Sequence, residues 1–424
     1  MNHLSEICLA AIFIAPLAGA GLAMMNSGLG RSRSAAHTML SSMLLMSAGA
    51  LAYLICGAAF LDGWSAAIAT TVRGHTWSWL GLSGFFLHGI DWDGSGAFPE
   101  RPLTILHGLV CASLTALIPF GAGGDRWRLA SASAIGALLA GVAFPVFGHW
   151  AWSDVGWLTH LDQLAGLPRG YSDGGGAGAV HVTGGAAALA LVWMLGPRHA
   201  RYNDSGIPAA VPGHDAVLAV AGAFLALIGW LGLNCAGALL YGKASAMRLA
   251  LVGLNTILCA AAGAIASALF TKSRYGRPDA SLCANGWTGG LVASSAAAAF
   301  VHPAAAALIG VVAGVMVAFA IEMLDVHLAF DDPGGTVAVH FLCGLWGLLA
   351  AGLFGSANLM AQVVGIATLI GFVFPLAFGI VWMTSRFVPL RTTPEGDRQG
   401  MDLHELGANA YPEFMMHHED SWGR

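Results

Sequence analysis

Two stretches of this sequence repeat one pattern, DGGGAGAVHVTGG at residues 173–185 and DPGGTVAVHFLCG at residues 332–344. Each stretch has an Asp, seven further residues, a His, three residues and a Gly. Leu189 and Leu348, four positions past each final Gly, continue the match. This agreement at matched spacing indicates that the chain contains two related halves.

The composition is that of a membrane protein. Of the 424 residues, 57% are hydrophobic and 10% are charged, whereas a soluble domain carries about 25% charged residues. The 58 glycines suit membrane helices that pack closely. The net charge of −5 indicates no nucleic-acid partner. The seven Cys residues form no CxxC pair, so we expect free thiols, with no disulfide framework, metal or cofactor.

Windows free of Asp, Glu, Lys and Arg mark the membrane spans, because a helix needs about 20 apolar residues to cross the hydrocarbon core. The windows are 7–30, 34–61, 102–124, 129–153, 174–197, 216–242, 249–271, 280–321 and 333–385. The last two each hold two helices, separated at residues 301–303 and near residues 355–358. The sequence therefore predicts an all-α integral membrane fold of eleven transmembrane helices over residues 1–385, followed by a cytoplasmic tail over residues 386–424.

The two copies of the repeated pattern lie on the fifth and tenth predicted helices. Five helices per repeat is an odd number, so helices 1–5 and 6–10 run in opposite directions as inverted repeats, an architecture of transporters and channels. The Asp of each copy is a predicted helix N-cap. A single His in an apolar helix more often makes a helix–helix hydrogen bond, but a repeat-related pair, His181 and His340, favours pore lining.

The distribution of basic residues predicts the orientation. With the N-terminus outside, five of the 18 Lys and Arg residues lie outside and the other thirteen lie inside; the five are Arg73, Arg101, Arg169, Lys243 and Arg248. We therefore expect a multi-pass protein of the cell's inner (plasma) membrane with a cytoplasmic C-terminus. Residues 1–7 lack a basic region, so we expect the first helix to be retained. The outer segment 62–101 carries predicted interfacial tryptophans, Trp64, Trp77, Trp79 and Trp92.

Further motifs accompany the repeat, namely residues 144–152 (FPVFGHWAW), 229–234 (GWLGLN) and the tail segment 400–411. Together with the repeats they resemble the ammonium transporter (Amt/Mep/Rh) family, closer to the Amt branch, over nearly the whole chain. The resemblance implies a membrane transporter of ammonium or ammonia in contact with lipid. It also implies a homotrimer and a PII-class signal protein as a possible partner of the tail.

The resemblance assigns roles to individual residues. Trp152 takes the position of the vestibule tryptophan, which attracts ammonium by cation–π contact, and Asp173 takes the acidic position near it. His181 and His340 take the positions of the paired histidines in the lumen. The other matched positions are Trp230 and Asn234 of the sixth-helix motif and His149, which we expect to be structural.

The chain departs from the family pattern at the outer mouth of the pore. The phenylalanines that form the gate in relatives fall at His107, Cys111 and Leu233, and the vestibule serine falls at Gly237. We therefore expect a more open outer mouth, recruitment by Trp152 alone, and a packing or vestibule role for His107. The tail departs as well, at residues 406–409, where the usual His-Gly-Glu core is only partly kept.

Several functions stay open beside transport. A non-conducting or weakly conducting ammonium sensor would share the fold, but residues 386–424 contain no kinase or cyclase motif, which favours transport. A carbon dioxide channel of the Rh type is disfavoured by Trp152 and by the Amt-like tail. An enzyme is disfavoured because Asp173 and His181 are eight residues apart, about 12 Å along a helix, and no metal-ligand run or nucleophile motif occurs.

Overall fold

The computed structural model of the protein describes residues 3–63, 66–72, 74–95 and 99–414, so Trp64 and Arg73 lie outside the described residues. Within those residues, ten helices are long and apolar enough to cross a membrane. They are α1 (His3–Leu29), α2 (Ser32–Asp62), α3 (Arg101–Gly123), α4 (Leu129–Trp152), α5 (Ala177–Leu195), α6 (Ala216–Leu240), α7 (Ala246–Tyr275), α9 (Pro303–Leu328), α10 (Val337–Phe354) and α11 (Leu359–Phe387).

The remaining long helix, α8 (Ala280–Ala297), has 18 residues but is less apolar because it carries polar residues such as Asn285, Thr288 and Ser294. All three are buried, and the Ser294 hydroxyl accepts a hydrogen bond from the Asn234 side chain of α6 (3.0 Å). The breaks before α9 and α11 fall where the sequence places them. The helical membrane fold is therefore confirmed, with α8 completing a set of eleven long helices in the described part of the chain.

A two-stranded hairpin, which the sequence did not predict, occupies part of the segment between α2 and α3. Strands β1 (Ala67–Val72) and β2 (His75–Gly81) pair antiparallel. Trp77 of β2 stacks on Trp157 with ring centroids 5.7 Å apart, and the Trp79 ring lies tilted against Trp157 at 6.2 Å. These tryptophans thus pack on one another. Short helices cover Phe85–Leu87, Leu161–Ala165, Pro394–Gln399, Asp402–Leu406 and Pro412–Phe414.

Backbone hydrogen bonds show the inverted repeat directly. The amide of Gly175, two residues past the first repeated Asp, donates to the carbonyl of Ser295 in α8 (2.9 Å). The amide of Gly334, two residues past the second, donates to the carbonyl of Gly121 in α3 (3.0 Å). The segment before α5 therefore contacts the eighth helix, and the segment before α10 contacts the third. This exchange of partners is what two inverted five-helix repeats require.

The two repeat helices α5 and α10 cross at a pair of glycines, Gly185 and Gly344. A β-carbon on Gly185 would lie 2.5 Å from the backbone nitrogen of Phe341. A β-carbon on Gly344 would lie 2.6 Å from a methyl group of Val182. Because only glycine lets the helix backbones approach this closely, the final Gly of each repeat sets the distance between α5 and α10.

We predict that Gly185→Ala destabilises the protein, by about 1–3 kcal/mol, because the added methyl group overpacks the helix crossing. Gly379→Ala in α11 is the matched control, since no atom lies within 4 Å of a β-carbon there. Thermal unfolding in detergent measures both variants. Equal melting temperatures for the two variants would contradict the close crossing.

Candidate functional site

Each repeat helix begins at its Asp. The Asp173 carboxylate accepts hydrogen bonds from the amides of Gly178 and Ala179 (both 2.9 Å), and the Asp332 carboxylate accepts one from the amide of Val337 (2.8 Å). These amides have no partner within their own helix, and a negative charge is favourable at that end. The two aspartates therefore fix the start of α5 and α10 in the same way.

The first turns of both helices are widened. Residues Ala177–Val182 of α5 and Val337–Leu342 of α10 form π-helical turns, and each turn contains the repeated His. Gly176 and Gly335, with φ of 81° and 66°, lead into the turns, and glycine adopts this conformation without strain. Wide turns of this kind are frequent at functional sites, and here the repeat places one at each histidine.

His181 and His340 lie side by side in the interior. Their Nδ1 atoms are 3.3 Å apart, their ring centroids are 5.3 Å apart, and both side chains are buried. At this distance one Nδ1 donates and the other accepts, so the two rings hold complementary tautomers. Within the described residues, Nε2 of His181 is buried and has no hydrogen-bond partner.

Trp230 of α6 backs the histidine pair. Its ring stacks on His181, with centroids 5.0 Å apart and planes at 8°, and lies 6.4 Å from the ring of His340. The indole nitrogen donates to the Ser295 hydroxyl (3.2 Å), which holds the ring in place. The nearby Asn234 side chain bonds only within the helix bundle, to hydroxyl groups of α7 and α8.

A cavity of about 370 Å³ opens on the side of the protein where Trp152 and Asp173 lie. The Trp152 indole donates to the backbone carbonyl of Asp173 (2.7 Å), which ties the end of α4 to the start of the first repeat. Lys243 also lines this cavity. Trp152 and Asp173, which the resemblance assigns to the vestibule, thus line one cavity, which we call the outer vestibule.

His149, one turn before Trp152, is fixed on both ring nitrogens. Nδ1 lies 2.6 Å from the carbonyl oxygen of Leu61, and Nε2 lies 2.8 Å from the Ser78 hydroxyl of β2. This is the arrangement expected of a structural histidine. The hairpin therefore helps to hold the end of α4 that carries Trp152.

The sequence of the whole chain decides its classification. The profile of the Ammonium Transporter Family matches residues 6–411. The chain belongs to this family. It is 32% identical over 431 residues to the ammonium transporter Amt2 of Archaeoglobus fulgidus, covering 95% of this chain and 87% of that protein. It is 31% identical over 423 residues to the ammonium transporter Amt1 of Haloferax mediterranei, covering 93% and 76%.

Solved structures agree with this classification. A protein described as a sensor Amt protein superimposes with a TM-score of 0.85 at 27% identity, covering 95% of this chain and 98% of that one. Mep2 of Candida albicans superimposes with a TM-score of 0.80 at 23% identity, covering 98% and 91%, which shows the fold. The protein is thus a multi-pass membrane protein. Its membership of this family supports ammonium transport, and its homologues are ammonium transporters and channels, not enzymes.

The residues at the expected open outer mouth pack closely together. The His107 ring lies 5.9 Å from that of Trp152 and 5.6 Å from that of Tyr241, and a ring nitrogen lies 3.7 Å from Cys111 Sγ. His107, Cys111 and Leu233 are each no more than 2% exposed. The rings of His107 and Tyr241 thus contact each other beside these smaller side chains, and a mouth more open than that of relatives stays a prediction.

Gly237, which takes the position of the vestibule serine, lies against the segment that leads into α5. A β-carbon on this residue would overlap the carbonyl oxygen of Gly174. The physical reason is that the segment leading into α5 crosses α6 at this level with its backbone in direct contact. A serine side chain at position 237 would need the backbone of residue 174 to move away.

Tyr241 is the vestibule residue that the sequence reasoning missed. It stacks on Trp152, with ring centroids 4.5 Å apart and planes at 6°. A signal existed, because residues four apart lie on one face of a helix, and Tyr241 follows Leu233 and Gly237 at that spacing. The matched family positions on this helix end at Gly237, one turn before Tyr241.

Ion pairs surround the opposite end of the repeat helices, which we call the inner mouth. The Asp331 carboxylate accepts hydrogen bonds from the backbone amide, Nε and NH2 of Arg198 (2.8–2.9 Å). Arg198 also bonds the Asp125 carboxylate (2.8 Å), and Arg126 donates to the Asp331 carbonyl (2.6 Å). All four residues are buried, so each charge depends on its partners for stability.

The tail after α11 caps two membrane helices of its own chain. The Asp402 carboxylate accepts from the amides of His37 (2.7 Å) and Ala36 (3.2 Å) at the start of the α-helical part of α2. The Glu405 carboxylate accepts from the amide of Leu129 at the start of α4 (2.9 Å) and lies 2.9 Å from His37 Nε2. The tail therefore satisfies amides that the helices themselves leave free.

We predict that Asp331→Asn lowers the melting temperature at pH 7, by the equivalent of about 3–5 kcal/mol, because the buried guanidinium groups of Arg126 and Arg198 both lose the charge of Asp331. Burial by itself raises the pKa of Asp331, but Arg126 and Arg198 outweigh burial and lower the pKa to about 2. The stabilisation by Asp331 is therefore complete above its unfolded pKa of about 3.9 and declines as the pH falls toward 2.

Thermal unfolding in detergent between pH 7 and pH 3 checks this prediction. The difference between wild type and Asp331→Asn narrows below about pH 4, while Asp204→Asn, at an exposed position, melts like wild type. A difference that stays constant down to pH 3 is incompatible with a carboxylate held ionised by the two arginines.

Proposed function

We propose that this protein transports ammonium by passing ammonia through the lumen between His181 and His340. The observation that carries the proposal is the contact of the two buried imidazoles, with Nδ1 atoms 3.3 Å apart at the crossing of α5 and α10. Family membership supports ammonium as the substrate. The histidine pair supplies polar atoms in the buried interior of the helix bundle.

Dehydration decides which form of the substrate passes. An unpaired cation in an apolar lumen loses its hydration without compensation and is strongly disfavoured. Ammonia, the deprotonated form, carries no charge and needs only hydrogen-bond partners. Potassium cannot lose a proton, so the same lumen excludes it.

The histidine pair offers such hydrogen-bond partners. Since the two Nδ1 atoms bond each other, one ring carries its proton toward the partner and the other accepts. This leaves Nε2 of His181, which is buried without a partner in the described residues, available to bind ammonia. If the accepting ring releases its Nε2 proton while the donating ring takes one up at Nε2, the shared proton moves between the two Nδ1 atoms and both rings stay neutral, which would reverse their roles and allow a proton relay.

Recruitment takes place at the outer vestibule. Trp152 and the Asp173 segment line the cavity of about 370 Å³, and a cation over an aromatic face gains about 0.5–2 kcal/mol. Ammonium then gives its proton to water of the vestibule above the level of His107 and Cys111, which take the positions of the phenylalanine gate of relatives. The neutral molecule then reaches the histidine pair.

The protein's setting in the cell follows from the same features. The vestibule lies beside Asp62 and Glu100, at the ends of the predicted outer segment, so we assign it to the outside of the plasma membrane and the tail from residue 386 to the cytoplasm. The homotrimer and a PII-class partner at the tail are proposals supported by the resemblance to the family.

A flux measurement on purified protein tests the proposed function. Proteoliposomes receive an ammonium pulse while current and internal pH are recorded, and calorimetry measures ammonium binding on the same sample. Transport gives a saturable flux above that of protein-free vesicles. Saturable binding without flux, under a gradient that drives a conventional relative, would replace the transport proposal with the sensor function.

We predict that His181→Ala and His340→Ala each abolish ammonium flux or admit potassium through a wetter lumen. The two changes act alike because the repeat makes the positions nearly equivalent. His75→Ala, at an exposed position in β2, is the matched control and keeps wild-type flux. Wild-type rates and selectivity in both pore variants would show that the lumen does not depend on the histidines.

A further inference from the structure

Tyr241 stands between the outer vestibule and the lumen. It is the first residue after α6. It lies on the same helix face as Gly237, one turn further in, and Leu233, two turns further in. Its ring covers the Trp152 ring in a parallel stack, with centroids 4.5 Å apart. Trp152 is only 6% exposed, and the Tyr241 ring covers one of its faces.

Two groups below the ring complete a closed layer. The Tyr241 hydroxyl lies 3.4 Å from Nδ1 of His107, and the two rings meet edge to face with centroids 5.6 Å apart. Cys111, one turn further along α3, lies with its sulfur 3.7 Å from the His107 ring and is 1% exposed. The path from the vestibule to Cys111 therefore passes the Tyr241 ring.

The surroundings of Tyr241 leave room for the ring to move. Cavities of about 370 and 430 Å³ are both lined by Tyr241 and Trp152, so empty space flanks the stacked pair. The helix has ended at this residue, and Gly242 and Lys243, with φ of 50° at Lys243, turn the chain away. The ring is thus held by side-chain contacts at the end of a helix and not within its packed length.

We propose that Tyr241 is the movable lid of this pore, closing the route from vestibule to lumen in place of the aromatic gate that the chain lacks. This inference rests on the proposed function, because a lid requires a conducting path beneath it. Displacement of the ring uncovers the face of Trp152 for the cation and opens the way past His107. With the ring in place, both the cation–π face and the path are closed.

The buried thiol of Cys111 reports on the lid without any transport measurement. Purified protein in detergent is treated with 2-aminoethyl methanethiosulfonate, and the modified peptides are quantified over time by mass spectrometry. Cys283, half-buried in α8, serves as the internal reference for reagent activity. The wild type labels slowly at Cys111.

Tyr241→Ala should raise the Cys111 labelling rate by about tenfold, the factor expected when an aromatic stack is lost. Tyr241→Phe keeps the stack and stays within about twofold of wild type. Leu240→Ala is the matched control, since Leu240 lines both cavities, and it labels like wild type. Tyr241→Leu provides a second test of several-fold faster labelling if the alanine variant fails to fold.

Folded Tyr241→Ala and Tyr241→Leu proteins that label Cys111 at the wild-type rate would overturn the lid. So would equal acceleration by Leu240→Ala, because the effect would then belong to the cavity wall and not to the ring. Ammonium flux of the wild type decides the proposed function separately, since labelling of Cys111 does not depend on flux.

Discussion

The structure depends on one constraint, which is that polar side chains buried in a membrane protein must partner each other and not lipid. Two histidines, one from each inverted repeat, meet this constraint through the contact of their Nδ1 atoms, 3.3 Å apart. Glycines at the crossing of α5 and α10 bring the helices close enough for the contact. Asp173 caps α5 and Asp332 caps α10, and these two caps fix where each helix begins.

Different kinds of contact hold the two ends of the helix pair α5 and α10. The inner mouth is held by buried ion pairs between Asp331, Arg198 and Arg126 and by tail carboxylates that cap α2 and α4. These contacts join distant parts of the chain rigidly. On the side of the vestibule cavity the Tyr241 ring instead stacks on Trp152, a contact that is weaker than the buried ion pairs. In the proposed function, strong contacts thus hold one end of the pore and weaker contacts close the other.

The sequence predicted the features that depend on local pattern. Charge-free windows located the helices, and the matched Asp–His–Gly spacing located the histidine pair and the inverted repeat. It did not predict features set by distant contacts. The hairpin β1–β2 depends on tryptophan packing against Trp157, and the overlap at Gly237 depends on the backbone of Gly174 crossing it. The stack of Tyr241 on Trp152 was also not predicted, because Tyr241 lies outside the matched family positions.

In the proposed function, the charge of a solute, and not its size, decides whether it crosses the lumen. The most direct measurement compares ammonium and potassium uptake into the same wild-type proteoliposomes under equal gradients, since the two cations have similar size but only ammonium can lose a proton. We expect ammonium-dependent flux into the proteoliposomes, with potassium uptake no greater than in protein-free vesicles. Potassium uptake comparable to that of ammonium would contradict it, because the passage would then be carrying hydrated or bare cations.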